Sequence, residues 1–390
     1  MHLFLNCLAA SAGGGLTYAR NIIPHFSACP NLRATVAIHP TLRAEVEAGE
    51  NVSFAVVHVP SNAGLRFYFE QTRLPRLVRE CRADVLISTG NFALRHSPVP
   101  QILLTGNSLY NSAEFFHDLR QRGEYGMWLD TRVRGYFARR SIRWADRAVA
   151  PSQAFAEQLR GWAGSEVLCI HHGFDADIFF RDQTPLPPDV QAKLDSGAGK
   201  LRLLFVSHYN YYRNFETLLR AMPRLVQRLG PDKVRLFLTC KLLAHENPGS
   251  FDASAGRHLV RELGISDQLV ELGAIPYQHL HKVYRACAIY VTPAYTETFA
   301  YPLVEAMACR LPIVASDLPV HREITAGAAQ FCPVFSAEEL AERVLLVAQS
   351  AELRKSQVEA GQRRAAEFSW AKHVEALVHL AETLVAKANQ

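Results

Sequence analysis

The sequence predicts an α/β protein made of two doubly wound, parallel-sheet domains. Three observations predict it. Short apolar runs alternate with helical patterns through the first half. The rhythm breaks at 174–199, where Pro185, Pro187, Pro188 and the run Ser196-Gly-Ala-Gly199 cluster. The same alternation then restarts. Parallel strands covered by helices on both faces read as nearly continuous apolar runs, and strands alternating with helices imply crossover connections within a parallel sheet.

Taken in order, the strands expected in the first half are His2–Leu8, Ala34–His39, Phe54–Val59, Asp84–Ser88, Gln101–Thr105, Ala148–Pro151 and Val167–His171. A glycine loop at 11–15 follows the first strand, and a helical pattern runs from Leu16 to Phe26. After the break come Leu201–Val206, Val234–Thr239, Leu269–Leu272, Ile289–Thr292, Ile313–Ala315 and Gln330–Val334, with an amphipathic helix at Asn214–Gly230. The expected division is a first domain at 1–174, a linker at 175–199, a second domain at 200–368 and a final helix at 369–390. Two such domains are expected to leave a ligand cleft at the carboxyl ends of their strands.

Composition narrows the function classes. The chain has 390 residues, 49% hydrophobic and 20% charged, with a net charge of +5. That is ordinary globular composition, and the basic excess is too small to argue for nucleic acid. The stretch 111–147 is locally rich in arginine and also carries Glu114, Asp118, Glu124, Asp130 and Asp146. A solvated helical face is the plainer reading, and weak peripheral attraction to anionic lipid the sharper one. The eight cysteines include no Cys-x-x-Cys pair and no zinc spacing with histidine. Cysteines set in apolar runs fit a reduced, cytoplasmic compartment. The N-terminus reads as a strand, not a signal peptide, and no apolar run reaches the ~18 residues of a membrane span.

The richest stretch is Val291-Thr-Pro-Ala-Tyr-Thr-Glu297-Thr-Phe-Ala-Tyr-Pro302-Leu-Val-Glu305-Ala-Met-Ala308. A strand ends near Thr292, a polar loop follows, and Pro302 suits the start of a helix because its missing N–H had no partner there. The N–H groups of a first helical turn and the helix dipole favour an anion such as a diphosphate. Glu297 precedes that turn and Glu305 lies one turn beyond it, so two carboxylates flank the anion site. They suit neutral hydroxyls, as of a sugar and a ribose. The plain alternative is a solvated loop glutamate and a helix-start glutamate favoured by the dipole.

This segment resembles the Glu-x7-Glu motif of retaining glycosyltransferases with the GT-B fold, in particular family 4. Pro293, Phe299, Pro302, Glu305-Ala-Met-Ala and the later Leu311-Pro-Ile-Val-Ala-Ser all contribute to the likeness. The resemblance covers both halves and is strongest over 201–325. It implies two Rossmann-like domains facing a central cleft, with the last helix crossing back to the first domain. It implies that Glu297 contacts the donor sugar, that Glu305 binds the ribose hydroxyls, that the amides of Phe299, Ala300 and Tyr301 hold the diphosphate, and that Thr298 is also among the substrate-binding residues. The family usually has glycine where Ala300 stands.

Other residues follow from the same likeness. Phe205-Val-Ser-His208-Tyr-Asn-Tyr-Tyr-Arg213-Asn214 resembles the family's segment with two cations for the leaving diphosphate, whose departure accumulates negative charge. Arg213 stands at the lysine position and the weaker, pH-dependent His208 at the arginine position; Lys241 is a further candidate. Gly13, Gly14 and Gly15 resemble the first-domain loop near donor phosphate and acceptor. Leu272-Gly-Ala274-Ile275-Pro276 resembles the loop that cradles the base. His171-His172-Gly173 resembles the turn that closes the first domain. Asp175-Ala-Asp177 spells a metal motif of a different glycosyltransferase fold and reads as accidental. Asn107 stands roughly where many family members carry a histidine; it can hold a hydroxyl but cannot shuttle a proton.

The implied activity is retaining, metal-independent transfer of a hexose-type sugar from a nucleoside-diphosphate sugar to a hydroxyl acceptor, saccharide or lipid-linked. The implied setting is polysaccharide or glycoconjugate synthesis in the cytoplasm or at the inner membrane face. No cofactor and no nucleic-acid partner are expected. The alternatives are a nucleotide-sugar 2-epimerase of the same fold, or a non-catalytic sugar-nucleotide binder.

Overall fold

The computed structural model describes residues 1–10, 13–29, 31–47, 49–60, 62–243, 246–247 and 251–390. They form two compact units. One comprises Met1–Ser112, Gly123–Gly173 and Ser369–Gln390; the other comprises Ala113–Arg122 and Phe174–Phe368.

In the first unit the strands are β1 (His2–Asn6), β2 (Arg33–Ile38), β3 (Val52–Val56), β4 (Val85–Ser88), β5 (Gln101–Leu104), β6 (Arg147–Ala150) and β7 (Val167–Cys169). They pair in the order β3-β2-β1-β4-β5-β6-β7, and all these pairs are parallel. Strands β4 and β5 are buried along their whole length, which is why they read as continuous apolar runs. Phe4, Leu74, Val78 and Leu86 pack together beneath the helix Ala63–Glu80. Of the glycine segment, 11 and 12 lie outside the described residues. Gly13, Gly14 and Gly15 already form the first turn of the helix Gly13–Phe26, where a loop was expected.

The last helix, Trp370–Ala388, packs within this first unit. Its His373 donates from Nδ1 to the His171 carbonyl at 2.8 Å, leaving Nε2 to accept the Tyr18 hydroxyl at 2.7 Å. Burial, the largest influence, drives the His373 pKa down to about 4, so the ring keeps the neutral form that this pattern needs.

The second unit holds β8 (Leu201–Phe205), β9 (Val234–Leu238), β10 (Leu269–Glu271), β11 (Ile289–Thr292), β12 (Ile313–Ser316) and β13 (Gln330–Cys332). Their order is β10-β9-β8-β11-β12-β13, again parallel throughout. This is the doubly wound order whose strand sequence reverses between the first and fourth strands.

Two boundaries differ from expectation. The helix Ala113–Gln121, from the first half of the chain, belongs to the second unit. It buries Phe115 and Leu119, its Asp118 accepts the Tyr295 hydroxyl at 2.8 Å, and Arg122 reaches Glu216 at 2.9 Å. The stretch 175–199 is not a loose linker. It folds into the helices Ala176–Phe179 and Pro188–Asp195 of the second unit, burying Phe179, Val190 and Leu194. Asp175 is the N-cap of the first of these, accepting from the Ile178 amide at 3.0 Å.

Gly173 tests how the last helix is seated. A Cβ added there would fall 2.1 Å from the Trp370 nitrogen and 2.4 Å from its Cα. These are backbone atoms, so no rotamer change relieves the clash. Gly173→Ala is expected to cost ~3 kcal/mol, the upper part of the usual overpacking range, read as a lowered denaturant midpoint. An unchanged midpoint would contradict this seating.

Candidate functional site

Strands β8 and β11 are neighbours where the order of the second sheet reverses. Loops leaving their carboxyl ends border the crevice in which open α/β sheets bind ligands. The loop after β8 ends in the 3-10 turn Tyr211–Arg213 and then Asn214, whose φ of 56° is left-handed; asparagine tolerates that conformation better than most residues. Asn214 donates from Nδ2 to the Pro293 carbonyl at 3.0 Å and accepts the Thr217 hydroxyl at 2.8 Å. The Tyr295 amide donates to the Tyr212 carbonyl at 3.1 Å. The Ser316 hydroxyl, at the end of β12, donates to the Ala294 carbonyl. Three consecutive residues after β11 are therefore tied down, and they present Glu297.

Glu297 receives a charge-assisted hydrogen bond from Arg213 Nη1 on Oε2, and the Thr298 amide donates to Oε1 at 3.0 Å. Both side chains are largely withdrawn from water, 20% exposed for Arg213 and 10% for Glu297. Burial by itself raises the Glu297 pKa. The Arg213 charge, then His321 and the Thr298 amide, outweigh it, so the carboxyl titrates below its ordinary range. Burial likewise works against the Arg213 cation, and Glu297 reverses the balance. The guanidinium also lies over the Tyr212 ring, 5.2 Å from its centroid, within cation–π range.

Beyond Glu297 the chain turns at Ala300, with φ and ψ both 64°, into the helix Tyr301–Ala308. Pro302 sits in its first turn. Glu305 is buried, and the Tyr284 hydroxyl donates to its Oε2 at 2.8 Å. Burial raises its pKa to about 7, and the Tyr284 hydrogen bond pulls the other way. Glu305 is thus no solvated helix-start carboxylate. It is a buried acid whose charge is uncompensated by any cation in its surroundings.

The remaining expected residues are placed as follows. His208 is exposed near Arg213; desolvation first, then the Arg213 charge, lowers its pKa. Lys241 pairs with Glu246 at 3.3 Å, and its stem lies against Gly273, next to Ala274 and Ile275. Gly273 has a φ of 83°, which a side chain rarely adopts. Gly13–Gly15 and Asn107 belong to the first unit. Asn107 spends its Oδ1 capping the turn Ser108–Tyr110 through the Leu109 amide at 3.0 Å. Sequence reasoning missed Asn214, Tyr284, Ser316 and His321. The first stands beside an expected cation, and the last two lie within or just after the Leu311-Pro-Ile-Val-Ala-Ser run.

Comparison with known proteins gives the family and the fold. Residues 188–364 match the family described as Glycosyl transferases group 1, and residues 12–178 match Glycosyltransferase Family 4. D-inositol 3-phosphate glycosyltransferase 2 of Catenulispora acidiphila is 29% identical over 182 residues, 44% of this chain and 40% of that protein. The chain thus spans about two fifths of the length of the first curated relatives it matches. Among solved structures, sucrose-phosphate synthase from Thermosynechococcus elongatus has a TM-score of 0.77 at 17% identity, covering 99% of this chain and all of that one. HepE of Anabaena, solved in complex with UDP-glucose, has a TM-score of 0.73 at 18% identity, with 98% of this chain and 100% of that one covered. These likenesses give the fold. The 2-epimerase reading finds no support among them.

The buried Arg213–Glu297 pair makes a thermodynamic prediction. Arg213→Met strands a buried carboxylate and is expected to destabilise by ~3–5 kcal/mol. The same change in a Glu297→Gln background, which has no charge to strand, is expected to cost markedly less. Urea denaturation of the four proteins in the cycle checks this, and additive effects would contradict it.

Proposed function

The chain belongs to the group 1, family 4 glycosyl transferases of the GT-B fold, and on that premise we propose that it moves a hexose-type sugar from a nucleoside-diphosphate sugar to a hydroxyl acceptor. The proposal includes retention of configuration, no metal requirement, and a saccharide or lipid-linked acceptor in bacterial polysaccharide or glycoconjugate synthesis. The observation that carries it is the arrangement of Arg213, Glu297 and Glu305. A buried cation and a carboxylate meet at the sheet's reversal point, and a second carboxylate lies one turn into the helix that follows.

In this reading Arg213 neutralises the diphosphate, Lys241 adds a further cation, and His208, whose pKa is lowered, serves as a neutral hydrogen-bond donor. Charge that builds on the departing nucleoside diphosphate is then met by the guanidinium. The backbone of Phe299, Ala300 and Tyr301, at the start of the helix Tyr301–Ala308, supplies N–H groups and the positive end of a helix dipole, while the Thr298 amide stays on Glu297. Glu297 holds sugar hydroxyls and Glu305 the ribose hydroxyls, while Ala274 and Ile275 line the base. In the first unit Gly13–Gly15 and Asn107 serve the acceptor. The leaving phosphate itself takes the acceptor proton. Uridine is the first nucleotide to test, because HepE was solved with UDP-glucose.

A second, compatible reading concerns the membrane. In the helix Tyr125–Trp144 the buried face is Thr131, Gly135, Ala138, Ser141 and Ile142. Opposite it, Tyr125, Leu129, Val133 and Tyr136 form an exposed stripe, bordered by exposed Arg132, Arg139, Arg140 and Arg143. An exposed apolar stripe flanked by arginine fits the headgroup region of an anionic bilayer. No helix among the described residues is long and apolar enough to cross a membrane, so the contact proposed is peripheral, at the cytoplasmic face.

Two measurements check these readings. UDP-, GDP-, ADP- and dTDP-sugars are screened by thermal shift in EDTA against wild type and Glu305→Gln. One sugar nucleotide is expected to stabilise wild type selectively, by ~2.7 kcal/mol at a hundredfold excess over its dissociation constant. Protonation removes the acceptor charge of Glu305, so affinity for the uncharged-ribose contact is expected to fall as pH drops through about 7. The loss levels off at about tenfold, the difference between a charged and a neutral hydrogen bond, and Glu305→Gln removes the pH dependence. No shift with any sugar nucleotide, from folded protein, defeats the donor site; binding without turnover favours the non-catalytic reading. Second, wild type is expected to float with phosphatidylglycerol vesicles and not with phosphatidylcholine vesicles, and Leu129→Glu to stay behind. Equal flotation of wild type and Leu129→Glu contradicts the stripe.

A further inference from the structure

Two buried polar atoms, one on Arg213 and one on His321, have no partner, and they are complementary. His321 is fully buried in the helix Pro319–Thr325. Its Nδ1 lies 2.8 Å from the Ser316 carbonyl oxygen, which only accepts, so Nδ1 carries the proton. Nε2 is therefore a bare acceptor, and it is buried without a hydrogen bond. Arg213 uses Nη1 for Glu297, while its Nε–H, a donor only, is also buried without a hydrogen bond. His321 is joined to the loop that presents Glu297 through Ser316, whose carbonyl takes the Nδ1–H and whose hydroxyl holds the Ala294 carbonyl. Buried polar groups in folded proteins are almost always paired, and each exception asks for an explanation.

Resting on the donor-site reading above, we propose that His321 positions Arg213 for the nucleotide sugar: when the guanidinium turns its Nη groups from Glu297 to the diphosphate, His321 Nε2 receives the Arg213 Nε–H. The chemistry fits at each atom. Diphosphate oxygens take the Nη edge, where Arg is a forked donor. Glu297 is freed to hold sugar hydroxyls and keeps the Thr298 amide. The Nε–H that has no acceptor in the unliganded arrangement gains one, so the liganded position of the guanidinium is favoured over other rotamers. Desolvation, the largest influence, keeps the imidazole neutral and Nε2 bare; Glu297 and Asp317 oppose this and Arg213 assists it. The ring itself cannot drift, because Ser316 anchors Nδ1 while also holding the Ala294 carbonyl of the Glu297 loop.

Two substitutions separate this role from packing. His321→Asn keeps a donor for the Ser316 carbonyl and loses the Nε2 acceptor. His321→Gln extends an amide oxygen to about the Nε2 position. Calorimetric titration with UDP-glucose and with UDP, or with the pair whose nucleotide the thermal screen selects, reads the diphosphate contact directly. His321→Asn is expected to weaken both ligands by about tenfold or more, as loss of a hydrogen bond to a charged group does. His321→Gln is expected to recover most of that affinity, even if its melting temperature is the lower of the two. His321→Asn binding as tightly as wild type overturns the proposal. So does equal loss in both variants, which would mark a packing residue. A wild type that binds no nucleotide sugar at all defeats the donor-site reading, and this inference with it.

Discussion

A guanidinium and a carboxylate, both mostly removed from water, meet where the second sheet reverses its strand order, and the local architecture is organised around keeping them together. Arg213 arrives on the loop from β8 and Glu297 on the loop from β11. Neither loop has a strand partner at that point. Their relative position is set by the Asn214 bond to Pro293, the Tyr295 amide on Tyr212, and the Ser316 hydroxyl on Ala294. A buried ion pair gives little net stability, since desolvation offsets most of the attraction. The pair is better understood as a specification of geometry. With its supports in place, one cation and one carboxylate stand at the mouth of the crevice. Without them, either charge left alone is strongly unfavourable.

The two glutamates reach different electrostatic states from the same residue type. Glu297 is buried but has a cation, so it stays ionised and titrates low. Glu305 is more fully buried and is met by the Tyr284 hydroxyl, so burial lifts it to about 7. On the proposed donor reading, this division is useful. The carboxylate nearer the cation is screened by it, while the one near the helix start carries only part of a charge at neutral pH. Neither then repels an anion as strongly as a free carboxylate would. Paired titratable groups pushed apart by their surroundings are the usual mark of a functional site.

Much of this was legible in the sequence, for identifiable reasons. Each expected strand has a counterpart, because parallel strands buried on both faces leave unbroken apolar runs that need no tertiary knowledge to see. Glu297, Glu305 and Arg213 could be picked out because a strand end, a loop and a helix-start proline leave a linear trace. What stayed hidden depended on contacts between distant segments. The helix Ala113–Gln121 has an amphipathic pattern that fits either unit, and only its pairing with Tyr295 and Glu216 decides. Asn107 reads as a hydroxyl holder, and its use of Oδ1 to cap a local turn leaves no trace in the sequence. The 175–199 stretch has the composition of a linker, and the burial of Phe179, Val190 and Leu194 is invisible without their partners. His321 gave no signal because its meaning lies in a nitrogen, not in a spacing.

Ala300 shows how such a site trades stability for order. Its left-handed backbone costs an L-residue roughly 1–2 kcal/mol, while glycine would adopt it freely. The methyl group is nonetheless buried, so part of that cost is offset by apolar contact. Glycine here would also widen the conformations open to the turn before the chain folds and ligand binds. Strain of this kind persists only where neighbouring structure over-determines it. Here the determinants are on both sides: three tied residues after β11, and a helix whose first turn begins at once. An alanine held in a glycine's conformation therefore keeps the amides at the helix start in one orientation, and a turn that is fixed beforehand loses less freedom when an anion arrives.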